Sequence, residues 1–141
     1  MDYYEKAVHL LREGNLTCAV CGEEIEYTST LRGVQPLLRP YEEGVRFVGC
    51  AAADRVIGKA AACLYVLLGV ERVYAEIVSR PAREIFEKNG IALDYDKLVE
   101  LIENRTRTGL CPMETAVRDI TDPKEAPGLI RAALEKLKEK E

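Results

Sequence analysis

The stretch ADRVIGKAAACLYVLL, residues 53–68, decides the fold that we expect for this chain. It is apolar on nearly every side, which is typical of a helix enclosed by other elements. Short runs with the composition of β-strands stand before and after it, at 17–21, 25–29, 45–49, 72–78 and 91–95. A buried central helix among such strands predicts an α/β fold, a three-layer α/β/α sandwich around a mixed sheet.

The other helices are predicted from apolar residues at helical spacing and from signals at their ends. They are expected at 3–12, from Pro81 to the Asn89-Gly90 stop, after the cap Asp96, from Pro112, and through 129–137. Gly22-Glu23-Glu24 predicts a tight hairpin between the first two strands. Residues 32–44 are rich in turn formers and predict a loop, with room for one helical turn, at which a ligand could be met.

Composition narrows the class of protein. The 141 residues suit one domain, residues 1–141, and 48% hydrophobic with 31% charged residues is ordinary globular composition. A net charge of −4 lacks the basic footprint of nucleic-acid binding. The N-terminus does not resemble a signal peptide, and the longest apolar run, 60–69, is too short to span a bilayer. We therefore expect a cytoplasmic protein that binds neither membrane nor nucleic acid.

Five cysteines, an odd number at irregular positions, favour reduced thiols over a disulfide framework. Cys18 and Cys21 have the spacing of a zinc knuckle or a redox pair, but no second pair follows them. In a strand, positions i and i+3 point to opposite faces, so these thiols are expected to be buried and apart. The single histidine, His9, lies on the polar side of the first helix, where an exposed ion pair is expected. No metal and no cofactor is predicted.

Lys59 is the one charged residue of the apolar run 56–68 within the central segment. Gly58-Lys59 is similar to the end of a phosphate-binding loop, but Ala53 and Ala60 stand where that motif needs glycine and serine or threonine. A buried ammonium is very costly, so Lys59 must reach solvent, pair with a carboxylate or meet an anionic ligand. Asp54, expected at the start of the same helix, is either an N-cap or a catalytic acid.

Cys111 precedes a proline that is expected to start a helix, a setting that can lower the pKa of a thiol. It is therefore a candidate nucleophile, with Glu114 as a candidate proton carrier. The alternative is structural: Cys111 lies beside an N-cap, and Glu114 completes a capping box. Arg105 and Arg107, with Arg32-Gly33 in the earlier loop, are candidate anion-binding residues.

Three segments, RGVQPL at 32–37, ADRVIGKAA at 53–61 and TGLCPME at 108–114, carry a family resemblance. Together they resemble a family of small uncharacterised bacterial and archaeal proteins, a domain of unknown function, from about Asn15 to Asp119. The resemblance implies a cytidine-deaminase-like fold. It implies no reaction, because fold alone does not fix function.

Zinc deaminases use H-x-E or C-x-E at one helix start and P-C-x-x-C at the next. Residues 52–55 resemble the first motif, with Asp54 in place of the glutamate and Ala52 in place of the metal ligand. Residues 81–85 resemble the second, with Ala82 and Ile85 where the cysteines belong. Without these ligands zinc cannot be held to activate water, so zinc-dependent deamination is excluded.

The sequence therefore predicts a metal-free binding domain for a nucleotide-like or other anionic small molecule, held by Lys59 and the loop arginines. An enzyme is the alternative, with Cys111 as nucleophile and Asp54, Lys59 or Glu114 moving protons. A third reading is an interaction module that associates with itself as a homodimer.

Overall fold

The computed structural model describes residues 2–103, 109 and 111–139. In chain order the elements are α1 Tyr3–Glu13, β1 Cys18–Gly22, β2 Ile25–Ser29, α2 Gln35–Glu42, β3 Ala51–Ile57, α3 Lys59–Leu68, β4 Arg72–Ser79, α4 Arg80–Lys88, β5 Ala92–Val99, α5 Pro112–Ala116, a 3₁₀ turn at Pro123–Glu125, and α6 Ala126–Glu139. No helix within these ranges is long and apolar enough to cross a membrane.

The five strands form one mixed sheet in the order β2-β1-β3-β4-β5. β1 runs antiparallel to both β2 and β3, whereas β3, β4 and β5 are parallel. Glu23-Glu24 joins β1 to β2, and Glu24 takes the left-handed conformation with φ 59°. The predicted mixed sheet and hairpin are confirmed.

Helices cover both faces of the sheet. On one face α1 buries Ala7 and Leu11 against Ala19, Ala53 and Tyr74. On the other face α3 is enclosed by α2, α4 and α6, and its residues Ala60 to Tyr65 are all buried. An enclosed central helix is confirmed, and its last residue, Leu68, is the predicted one. Gly69 follows it as a left-handed cap with φ 91°.

The boundary of this central segment was predicted wrongly. Residues 51–57 form the buried strand β3, and the helix begins only at Lys59 after the break at Gly58. Asp54 therefore lies in a strand and caps no helix. The predicted strand at 45–49 is an irregular segment with a turn at Gly49. An apolar run can be a buried strand or a buried helix, and periodicity alone does not separate them.

Two further expectations need correction. The predicted loop at 32–44 contains more than the one helical turn expected there, because α2 has eight residues, with Pro36 in its first turn. Asp96 caps no helix, because β5 continues through it to Val99 along β4. Its carboxylate instead accepts a 2.5 Å hydrogen bond from the Tyr74 hydroxyl of β4. By contrast, α4 has the predicted start, where the hydroxyl of Ser79 accepts from the amide of Ala82 and Pro81 occupies the first turn.

Candidate functional site

A cavity of about 330 Å³ lies at the carboxyl end of β3, beside the first residues of β1. At this place the antiparallel half of the sheet meets the parallel half. Ligands of open α/β sheets bind outside the carboxyl ends of the parallel strands, and this cavity lies at such an end. The walls are mainly apolar and include Leu31, Val34, Pro36, Ile102 and Met113.

Asp54 supplies a carboxyl group to this cavity. Its Oδ2 accepts a 2.5 Å hydrogen bond from the Tyr65 hydroxyl of α3, and its Oδ1 accepts from the amide of Val56 at 3.3 Å. Burial raises the pKa of Asp54 to about 7, although both hydrogen bonds act to lower it. Near neutral pH this group therefore exchanges between a charged acceptor and a neutral acid.

Cys18 and Tyr65 complete a buried cluster around Asp54. Cys18 is the cross-strand partner of Asp54 between β1 and β3. Burial is the main cause that raises the pKa of the Cys18 thiol, and the Asp54 charge raises it further. The same two causes hold the pKa of Tyr65 well above its usual value. The thiol and the phenol thus stay protonated near neutral pH, when Asp54 titrates.

Glu114 reaches from α5 to the start of α3. Its carboxylate accepts hydrogen bonds from the amides of Lys59, at 2.6 Å, and Ala60, at 3.0 Å. A Cβ atom at Gly58 would lie 2.4 Å from the Glu114 Oε1, so only glycine permits this approach. Burial raises the pKa of Glu114, and the two amides oppose that rise. Glu114 therefore caps α3 across the structure, whereas the capping box placed it on its own helix.

The side chain of Lys59 binds the segment that follows α5. Its ammonium donates to the carbonyl oxygens of Arg118, at 3.0 Å, and Ile120, at 2.6 Å. It lines a neighbouring groove with Arg118 and does not line the Asp54 cavity. Lys59 thus meets carbonyl groups, a kind of partner that the sequence analysis did not consider.

Most of the other candidate residues line the cavity. Cys111 is half-buried in its wall, and its amide donates to the carbonyl of Ile102 at 3.0 Å. The helix that follows Cys111 has only five residues. Arg32 and Gly33 form an exposed part of the rim. Arg105 and Arg107 lie outside the described residues.

Tyr65 and Cys18 belong to the site, although neither was predicted from the sequence as a member of it. A signal was present for Tyr65, because a hydroxyl in an otherwise apolar buried helix needs a polar partner. The guanidinium of Arg55 belongs to the opposite face of the sheet. It donates to the carbonyls of Leu11, Gly14 and Leu16 around the end of α1 and pairs with Glu76 at 2.7 Å.

The residues compared with deaminase metal ligands have other places. Ala52, Ala82 and Ile85 are buried in the core. Because α3 begins at Lys59, the match of residues 52–55 to a helix-start motif is wrong, and Gly58 to Ala61 occupy that start without histidine or cysteine. Within the described ranges, no cluster of three His, Cys, Asp or Glu side chains is arranged to hold a metal ion.

Comparisons with known proteins agree on the family and the fold. The family model TM1506, a domain of unknown function (DUF1893), matches residues 6–134. The crystal structure of a DUF1893 family protein (TM1506) from Thermotoga maritima is similar with a TM-score of 0.82 and 22% sequence identity. The match covers 95% of this chain and 89% of that one, and at this identity it shows the fold alone. No curated protein matches.

Proposed function

Because the chain belongs to the DUF1893 (TM1506) family, whose description names no reaction, we propose a function from its own cavity. The protein is a metal-free binding domain for a nucleotide-like small molecule, and its site is the cavity at Asp54. The observation that carries this proposal is a carboxyl group with a pKa of about 7 inside a mainly apolar cavity. Perturbed titratable groups in clefts are enriched at functional sites.

The size and walls of the cavity suit such a ligand. A volume of about 330 Å³ lies at the lower end of the range for small-molecule pockets. Apolar walls can bury a ring, while a few polar groups fix its orientation. The exposed rim at Arg32-Gly33 can meet a phosphate by a guanidinium fork and a backbone amide. Lys59 has the supporting part of holding the segment that carries Met113 and Glu114.

The finer fold assignment belongs to the same proposal. We assign the chain to the three-layer, cytidine-deaminase-like architecture, with one domain over 1–141. Helices on both faces of a five-stranded mixed sheet support this assignment, as does the cavity at the carboxyl end of β3. The residues at the starts of α3 and α4 do not offer zinc ligands, so we propose binding without zinc-dependent deamination.

A thermal-shift screen of nucleosides, nucleotides and small phosphorylated metabolites tests the proposal. A ligand that binds only the folded state raises the unfolding temperature. Hits should stabilise both the wild type and the control variant Asp94→Asn. Asp94 is a suitable control because its exposed carboxylate pairs with Arg72 far from the cavity. They should not stabilise Asp54→Asn. Equal shifts in all three proteins would place binding elsewhere.

A second candidate function is an enzyme with Cys111 as nucleophile. One observation favours it, namely that the half-buried thiol lines the same cavity as Asp54, which can accept a proton near neutral pH. Iodoacetamide labelling that is blocked by a hit from the screen would support this function. If no compound binds and the protein sediments as a homodimer, the interaction-module reading replaces both.

A further inference from the structure

The carboxyl group of Asp54 has hydrogen-bonding capacity left for a ligand. A carboxylate can accept about four hydrogen bonds, two at each oxygen. Described residues supply one donor to each oxygen, the Tyr65 hydroxyl to Oδ2 and the Val56 amide to Oδ1. Each oxygen therefore keeps about one acceptor position, which is the number that a two-pronged donor needs from a carboxylate.

The described charges around the cavity favour the same kind of ligand. Two carboxyl groups line it, those of Asp54 and Glu114. Arg55 is bonded to carbonyls and Glu76 on the opposite face of the sheet, and it has the smallest of the effects on the pKa of Asp54. Arg32 lies at the exposed rim. An anionic group placed beside Asp54 would therefore meet like charge in a mainly apolar space.

From these observations, and resting on the proposed function, we infer the chemical class of the group that meets Asp54. It is a planar pair of nitrogen donors, as in an amidine, a guanidine or an amino-substituted heterocycle, and not a carboxylate or phosphate. Such a pair donates one hydrogen bond to each free position of the carboxylate and, when cationic, neutralises its buried charge. Any phosphate of the ligand then lies at the Arg32 rim.

Binding of such a donor should follow the ionisation of Asp54. The titratable and charged side chains around it come from each neighbouring element: Cys18 on β1, Tyr65 on α3, Cys111 and Glu114 around α5, and Arg32 on the rim. The Arg55 guanidinium acts on it only from the opposite face of the sheet. Cys18 and Tyr65 stay protonated near neutral pH because their pKa values are raised. With a pKa of about 7, Asp54 is ionised in about one-tenth of molecules at pH 6 and about nine-tenths at pH 8.

Benzamidine, benzamide and benzoate test this inference, because they share one size and shape and differ in charge and donors. Titration calorimetry at pH 6 and pH 8 measures each Kd. Benzamidine should bind about tenfold more tightly at pH 8, in proportion to the ionised fraction of Asp54. Benzamide should bind more weakly, and benzoate should not bind at pH 8.

Two variants separate Asp54 from other titrating groups. Asp54→Asn should lose both benzamidine binding and its pH dependence, whereas Asp94→Asn should keep both. Benzoate binding as tight as that of benzamidine, or benzamidine binding unchanged in Asp54→Asn, overturns the inference. So does an absence of benzamidine binding when compounds from the screen bind in an Asp54-dependent way, and the proposed function then stands. If neither these probes nor any screened compound binds, both proposals are wrong.

Discussion

Replacing Asp54 with asparagine should stabilise the fold at alkaline pH and leave it nearly unchanged near pH 4. Burial raises the pKa of this carboxyl from 3.8 to about 7, so the folded state favours its protonated form. The stability that comes from the protonated group is fully present below the unfolded pKa and is lost as the pH rises through the folded pKa. Asparagine has the same shape and remains neutral throughout.

The size of the effect follows from these two pKa values. Placing this carboxyl in the fold costs about 4 kcal/mol at pH 8, where it is mostly ionised in both states, and about 2 kcal/mol at pH 5, where it must take up a proton on folding. The asparagine oxygen can still accept from the Tyr65 hydroxyl, but its NH₂ group cannot accept from the Val56 amide. The loss of that hydrogen bond costs about 1 kcal/mol at every pH. The free energy of unfolding of the variant should therefore exceed that of the wild type by about 1 kcal/mol at pH 5 and about 3 kcal/mol at pH 8.

Urea unfolding of both proteins at pH 4, 5, 6, 7 and 8 measures this difference. Groups that titrate alike in both proteins cancel, so the difference curve reports Asp54. Its steepest part should lie between pH 4 and pH 7. A difference that stays constant across the series would mean that Asp54 has an ordinary pKa in the fold, and the argument from its burial would be refuted.

The other predictions concern neighbouring contacts. Tyr65→Phe removes a donor from the Asp54 carboxylate, so its pKa should rise further above the usual range, which the same urea series on this variant would detect. Lys59→Met leaves two carbonyls without their donor and should lower the free energy of unfolding by about 1 to 3 kcal/mol, whereas a neutral or stabilising effect would mean that these bonds contribute little. Competitive alkylation should label Cys111 fastest, because the other four thiols are buried, and a faster strand cysteine would contradict this. Metal analysis should find less than stoichiometric zinc, and one zinc per chain after a mild chelator wash would contradict that.

Much of the fold was predictable because local signals and tertiary structure agree. The hairpin, β4 and α4 each have alternating or helical patterns and distinct end residues. The segment 51–68 was harder, since a buried parallel strand and a buried helix follow each other with only Gly58 between them. Strand β5 was predicted too short because its exposed DYDK sequence has weak strand composition, and its pairing with β4 decides its length.

Only the polar or reactive residues that stand beside apolar runs could be predicted as candidates for the site. Asp54, Lys59 and Cys111 were identifiable because polar or reactive groups beside apolar runs need an explanation. Their partners were not, since they come from distant parts of the chain. The Glu114 contact to α3 spans 55 positions, and the register of β1 on β3 places Cys18 beside Asp54. The backbone carbonyls that receive Lys59 have no sequence signal at all.

Glu114 of α5 binds the first amides of α3, and Lys59 of α3 binds carbonyls that follow α5. These reciprocal contacts have a consequence for local unfolding. A helix of five residues, the length of α5, is not stable by itself, because helix nucleation is unfavourable. If α5 detached, the first amides of α3 would lose their acceptor, and the ammonium of Lys59 would lose its carbonyls. We therefore expect the segment 111–120 and the first turn of α3 to open together as one cooperative unit. Cys111 and Met113 form part of the cavity wall. This part of the wall should therefore open only when the first turn of the buried helix α3 also opens.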